Sequence, residues 1–174
     1  ASMESSTTRR KLLSLTRFAI AVTTAGLAAP HLALATDEEP LLRVTSKSGE
    51  TTFVFTDSML LDLPQVSFTT GTIWTDTLQE FSGPTLRSVL AAAGWAPPVQ
   101  DLKLTALNDY GVMYPAELIG DNAPIIANRR NGDRFGIRKK GPLWLVFPYD
   151  SSVRYRTETI YALSIWQLSE IRAL

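Results

Sequence analysis

RKKGPLWLVFPYD, residues 138–150, opens with a basic cluster, turns at Gly141-Pro142, runs through an unbroken apolar segment and then presents Tyr149 and Asp150 behind Pro148. Residues 143–148 lack polar alternation, so the segment reads as a strand buried on both faces and therefore central in its sheet. Polar groups at its two ends, Arg138 before it and Asp150 after it, are then rigidly placed. Lys139 and Lys140 read as solvated, and Trp144 as core.

Working outward, the flanking segments fit a sheet protein with few helices. Residues 41–45 and 51–55 are β-rich runs joined by SKSGE, a hairpin with glycine in its turn. Thr56-Asp57-Ser58 predicts a capped short helix through Leu61, stopped by Pro64. Residues 66–70 form a strand, and residues 71–77 a loop in which Trp74 is a candidate for exposure, a packing lid being the usual role of a loop tryptophan. Pro84 at a first turn, then Leu86, Val89, Leu90 and Ala93 at helical spacing, then Gly94, predict the clearest helix. Residues 102–106 and 112–114 read as strands and residues 115–119 as a helical turn. Residues 125–130 and 135–138 flank Asn131-Gly132, the preferred two-residue hairpin turn. Residues 159–168 read as the last strand. The class is α+β, with antiparallel or mixed sheets and few short helices.

The first 35 residues read as separate from this domain. Ala1 and Ser2 ahead of Met3 look like a cloning remnant. Arg9, Arg10, Lys11 and Arg17 then precede an apolar stretch, residues 18–29, and Ala33-Leu34-Ala35 has the form of a cleavage site. The stretch is short of the roughly 20 apolar residues that span a bilayer. A periplasmic protein cleaved after Ala35 is expected, leaving residues 36–174 as one domain. The paired arginines leave both the ordinary and the twin-arginine export routes open.

Without that leader, 13 basic and 16 acidic residues remain, a net charge of −3, which argues against nucleic acid as a partner. The only histidine, His31, is in the leader, and the chain has no cysteine. Histidine-based triads, zinc sites and thiolate ligation of metals are therefore excluded for residues 36–174.

Three places depart from a plain sheet protein. LTALNDYG, residues 104–111, ends a buried strand in Asn108, Asp109 and Tyr110. A simple turn is the competing reading, because Asn-Asp is good turn chemistry. The second place is the segment quoted at the outset, and the third is the loop carrying Trp74. Together they offer aromatic faces (Trp74, Tyr110, Tyr149), carboxylates (Asp109, Asp150), an amide (Asn108) and a guanidinium (Arg138). That set suits a flat, polar heteroaromatic ring. Aromatic side chains cover its face, a carboxylate accepts paired N–H donors from an amino-pyrimidinone edge, and Arg or Asn reaches carbonyl and ring nitrogens.

The order of segments resembles the molybdopterin-binding domain of the sulfite oxidase superfamily. FSGPTLRSVLAAAG (residues 81–94), KGPLWLVFP (residues 140–148) and SIWQLSEI (residues 164–171) carry the likeness. The resemblance implies a sulfite oxidase-like fold. It also implies a departure from the enzymes, because Ala106 stands where they hold molybdenum through a cysteine, and Trp144 where they have an arginine. No molybdenum is therefore expected.

TIWTD (72–76), ALNDY (106–110), residues 128–144 and IWQL (165–168) further resemble the cysteine-less, PruR-type periplasmic pterin-binding proteins. That likeness implies a reduced pterin ligand, neopterin- or monapterin-like. It also implies a non-catalytic sensor acting on a membrane-bound diguanylate cyclase or phosphodiesterase, with effects on cyclic di-GMP signalling and biofilm. The alternatives are a molybdopterin-dependent oxidoreductase and an accessory subunit without the cysteine.

Overall fold

The computed structural model describes residues 38–95 and 100–174; the expected leader and its cleavage site lie outside them. The elements are β1 (Leu42–Thr45), β2 (Thr52–Phe55), α1 (Asp57–Leu61), β3 (Gln65–Thr70), β4 (Gln79–Pro84), α2 (Leu86–Ala92), β5 (Leu102–Ala106) and β6 (Gly111–Tyr114). After these come β7 (Ile125–Ala127), β8 (Arg129–Arg130), β9 (Trp144–Val146), α3 (Glu158–Leu163) and β10 (Leu168–Ala173). Short 3₁₀ turns fall at Ala116–Leu118, Ile137–Lys139, Tyr149–Ser151 and Val153–Tyr155.

Among the described residues the strands form three sheets, in the orders β2-β1-β10-β5-β6, β3-β4-β8 and β7-β9. Only β1 and β10 run parallel; every other pair is antiparallel. The expected mixed α+β class is what the chain forms. Leu42, Val44, Leu102, Leu104, Leu168 and Ile171 bury one face of the large sheet in a core shared with Leu86, Val89 and Leu90 of α2. Burying side chains of this size is worth about 1.5–3 kcal/mol each relative to exposure.

Several local expectations are corrected. Pro84 does not open α2: it ends β4 opposite Gln65, and the helix starts after Thr85, whose hydroxyl accepts from the Ser88 amide. Residues 159–168 are not one strand. Thr157 caps α3 through the Ile160 amide, and Ile160 and Leu163 are buried one turn apart on the helix, which ends before Trp166 and β10. Residues 135–138 do not return as a strand either. Asn131 and Gly132 both have positive φ, as their hairpin turn requires, but pairing stops at the Arg130–Asp133 bridge and a 3₁₀ turn follows. Strand β9 is buried on both faces, as its apolar run implies, yet it pairs with β7 alone. Its other edge is closed by the 165–166 segment, through a Trp144–Trp166 bridge and a Leu145 amide bonded to Ile165.

Candidate functional site

Three of the seven expected site residues converge. Trp74 from the β3–β4 loop, and Asn108 and Tyr110 from the β5–β6 turn, line one cleft of about 460 Å³ together with Ile73, Tyr161 and Trp166. Tyr110 is 55% exposed, so its ring is available at the mouth. Asn108 accepts the Tyr110 amide through its side-chain oxygen, an Asx turn that shapes the corner and leaves its –NH₂ free for a ligand. Asp109 has φ of 64°, a conformation that Asp tolerates better than most residues. It lies outside the cleft lining, on the exposed corner of the turn.

Trp74 is not the exposed loop tryptophan that the sequence suggests. Its ring is half-buried, edge-on to Trp144 at 5.7 Å, Trp166 at 5.5 Å and Tyr161 at 5.8 Å. Such T-shaped pairs add about 0.5–1.5 kcal/mol beyond area burial, so Trp74 is a fixed wall and not a loose lid. Asp150 helps hold it there. Its carboxylate accepts the Gly71 amide at 2.6 Å and the Thr70 hydroxyl at 3.2 Å, tying down the start of the loop. Those bonds, the Gly71 amide foremost, hold its pKa below the usual carboxylate range.

The other expected residues stand apart. Tyr149 does not present its ring to a ligand: it is 1% exposed, and its hydroxyl donates to the Ser164 hydroxyl at 2.7 Å. Burial pushes its pKa upward. Arg138 is exposed on the 137–139 turn and lines neither cavity described here. Lys140, two residues on, sets its Nζ 3.6 Å over the ring of Trp166, which lines the cleft. Desolvation there, and then Arg130, lower the Lys140 pKa.

A second concavity, of about 600 Å³, opens beside Leu107, Asn128, Phe135, Ile137 and Pro142, with Asp57 and Arg134 in its wall and Glu38 and Glu39 at its rim. Asp57 is buried. Arg129 reaches both its oxygens, at 2.8 and 2.7 Å, and Arg134 adds an Nε bond at 2.7 Å. The Arg129 hydrogen bonds, more than offsetting desolvation, hold the Asp57 carboxyl below its ordinary value. Asn128 is 1% exposed, and neither its Nδ2 nor its Oδ1 has a partner. A buried polar group left unpaired costs about 1–3 kcal/mol.

Sequence reasoning missed Trp166, Tyr161 and Asn128. Trp166 and Tyr161 fell inside a segment read as strand, where aromatic residues look like core. The one available signal for Asn128 was a lone amide placed directly behind the apolar run of β7, short of any turn residue.

No family model and no curated protein matches the sequence. Among solved structures, the chain is similar to the sulfane dehydrogenase SoxCD from Paracoccus pantotrophus. The TM-score is 0.56, with 19% identity over 76% of this chain and 37% of that one, so the chain spans little more than a third of that protein. A likeness at this identity concerns architecture, and the architecture it shows is the sulfite oxidase-like α+β fold.

Proposed function

We propose that this chain binds a pterin, with the Trp74–Tyr110–Trp166 cleft receiving the ring and Asn108 reaching its polar edge. The observation that carries the reading is the convergence of three segments far apart in sequence, carrying residues 74, 108 and 110, and 166, on one aromatic-walled cavity of about 460 Å³. A cavity of that volume accommodates a bicyclic heterocycle and its side chain, and ligand sites are commonly apolar walls with a few placed polar groups. The sulfite oxidase-like fold is consistent with pterin binding.

A thiolate-held molybdenum centre does not fit the residues present. Ala106 closes β5 with its methyl buried, and the chain has no cysteine to supply a ligand. The ligand is accordingly a reduced, metal-free pterin of the neopterin or monapterin kind, and the protein a non-catalytic periplasmic sensor. Its output is contact with the periplasmic domain of a membrane-bound enzyme that makes or degrades cyclic di-GMP.

Isothermal calorimetry of the full chain with reduced neopterin tests the first step. Saturable binding, with an event weakened at least tenfold by Tyr110→Ala, is the expected result. Heats indistinguishable from dilution, with chain shown to be folded, would remove the pterin reading.

A further inference from the structure

The groove beside Asn128 has no part in the cleft reading, and the two lining sets share no residue. It nevertheless contains the least satisfied polar side chain of the core. Asn128 sits at the end of β7, its own amide N–H bonded to the Ser82 carbonyl and its own carbonyl accepting from Arg129. The backbone is thus satisfied while the side-chain donor and acceptor are both orphaned at 1% exposure. Buried amides are almost always paired, so an orphaned one lining a cavity points to a missing complement.

We infer that this groove is a second small-molecule site, taking the lactam edge of a neutral heterocycle on the Asn128 amide. A primary carboxamide offers one acceptor and one donor side by side, and its planar complement is an adjacent ring N–H and C=O. The surroundings select for a neutral ring. Asp57 and Arg134 face the groove but are committed to each other, and Glu38 and Glu39 at the rim oppose an anion. Leu107, Phe135, Ile137 and Pro142 supply apolar walls for the ring faces. The site is also sterically defined. A Cβ on Gly141 would lie 1.8 Å from the Phe135 carbonyl oxygen, so the wall formed by Phe135 and Pro142 depends on glycine between its halves.

The lactam could belong to a pterin or to a simple pyrimidine, and two probes separate them: neopterin and uracil, each titrated calorimetrically into the full chain. Asn128→Leu and Asn128→Ala remove the edge-reading amide, and Tyr110→Ala reports the cleft. The expected result is that at least one probe shows a binding event that weakens at least tenfold in both Asn128 variants and persists in Tyr110→Ala, separate from the neopterin event at the cleft that Tyr110→Ala weakens. An Asn128-dependent event with neopterin alone assigns a bicyclic ligand; one with uracil assigns a monocyclic ligand. Because Asn128→Leu also removes an unpaired buried amide, the ligand-free variant should melt no lower than the parent chain, whereas a purely structural role predicts lower melting. If neither probe shows an event that depends on Asn128, the site does not exist as described. Neopterin binding lost only in Tyr110→Ala would uphold the cleft and sink the groove, and the reverse pattern would do the opposite.

Discussion

Asp57 is the residue on which the most charge depends. It is 7% exposed at its side chain and holds Arg129 and Arg134, which retain 16% and 65% exposure. Asp57→Asn should destabilise the chain by about 3 kcal/mol, the low end for breaking a buried pair, because water can still reach both guanidiniums. Chemical denaturation at neutral pH measures this. The pH dependence has a definite sign. The native carboxyl titrates below its unfolded value, so its contribution is complete above pH about 4 and is lost as the pH falls through the lowered native value. An acid melt of Asp57→Asn should therefore be flatter below pH about 4 than that of the parent. At this scale the sequence was legible where chemistry was local. Thr56-Asp57-Ser58 read as a cap, and Thr56 does accept the Met59 amide. That Asp57 would also anchor two arginines more than 70 residues away was not legible, because no local pattern encodes it.

Among the elements, β4 shows why a readable pattern can mislead. Ser82-Gly83-Pro84 are poor strand residues, yet β4 pairs with β3 along its whole length and with β8 on the other side. Gly83 is needed there because a Cβ would lie 2.1 Å from the Ile126 carbonyl oxygen of β7. Gly83→Ala should therefore force the second and third sheets apart and yield poorly soluble or molten protein, read by loss of near-ultraviolet dichroism. Helix α3 failed in the opposite direction. Thr159-Ile160-Tyr161 has strand-like composition, but the Thr157 cap and burial of Ile160 and Leu163 prevail over it. Thr157→Ala should cost about 1 kcal/mol, seen as a modest drop in melting temperature. The same misreading hid Tyr161 and Trp166 from the expected site, whereas Trp74, Asn108 and Tyr110 were legible because polar and aromatic residues in loops have fewer structural explanations.

For the whole molecule, a ligand that binds only the folded chain raises its stability by mass action, about 2.7 kcal/mol at 100 times Kd. Reduced neopterin at such an excess should raise the melting temperature by several degrees, and a tenfold loss of affinity in Tyr110→Ala should cut that rise by about half. Chain produced in a host that makes molybdenum cofactor should contain no stoichiometric molybdenum by elemental analysis; a full equivalent would favour the oxidoreductase alternative. The overall class and the hairpin of β1 and β2 were legible from alternation and turn residues. The parallel pairing of β1 with β10 was not, since it joins residues as distant in the chain as Arg43 and Glu170.

Trp74, Trp144 and Trp166 lie with ring centroids 5.5 to 6.3 Å apart and their planes steeply inclined. Three of the four indoles in the chain are thus close enough for their electronic transitions to mix. The folded protein should absorb circularly polarised light through delocalised excited states of the cluster, giving a paired positive and negative band that no single tryptophan produces. Any movement of the 71–77 loop by a fraction of a ring width would change the coupling, so this chain carries a built-in optical gauge of its own cleft.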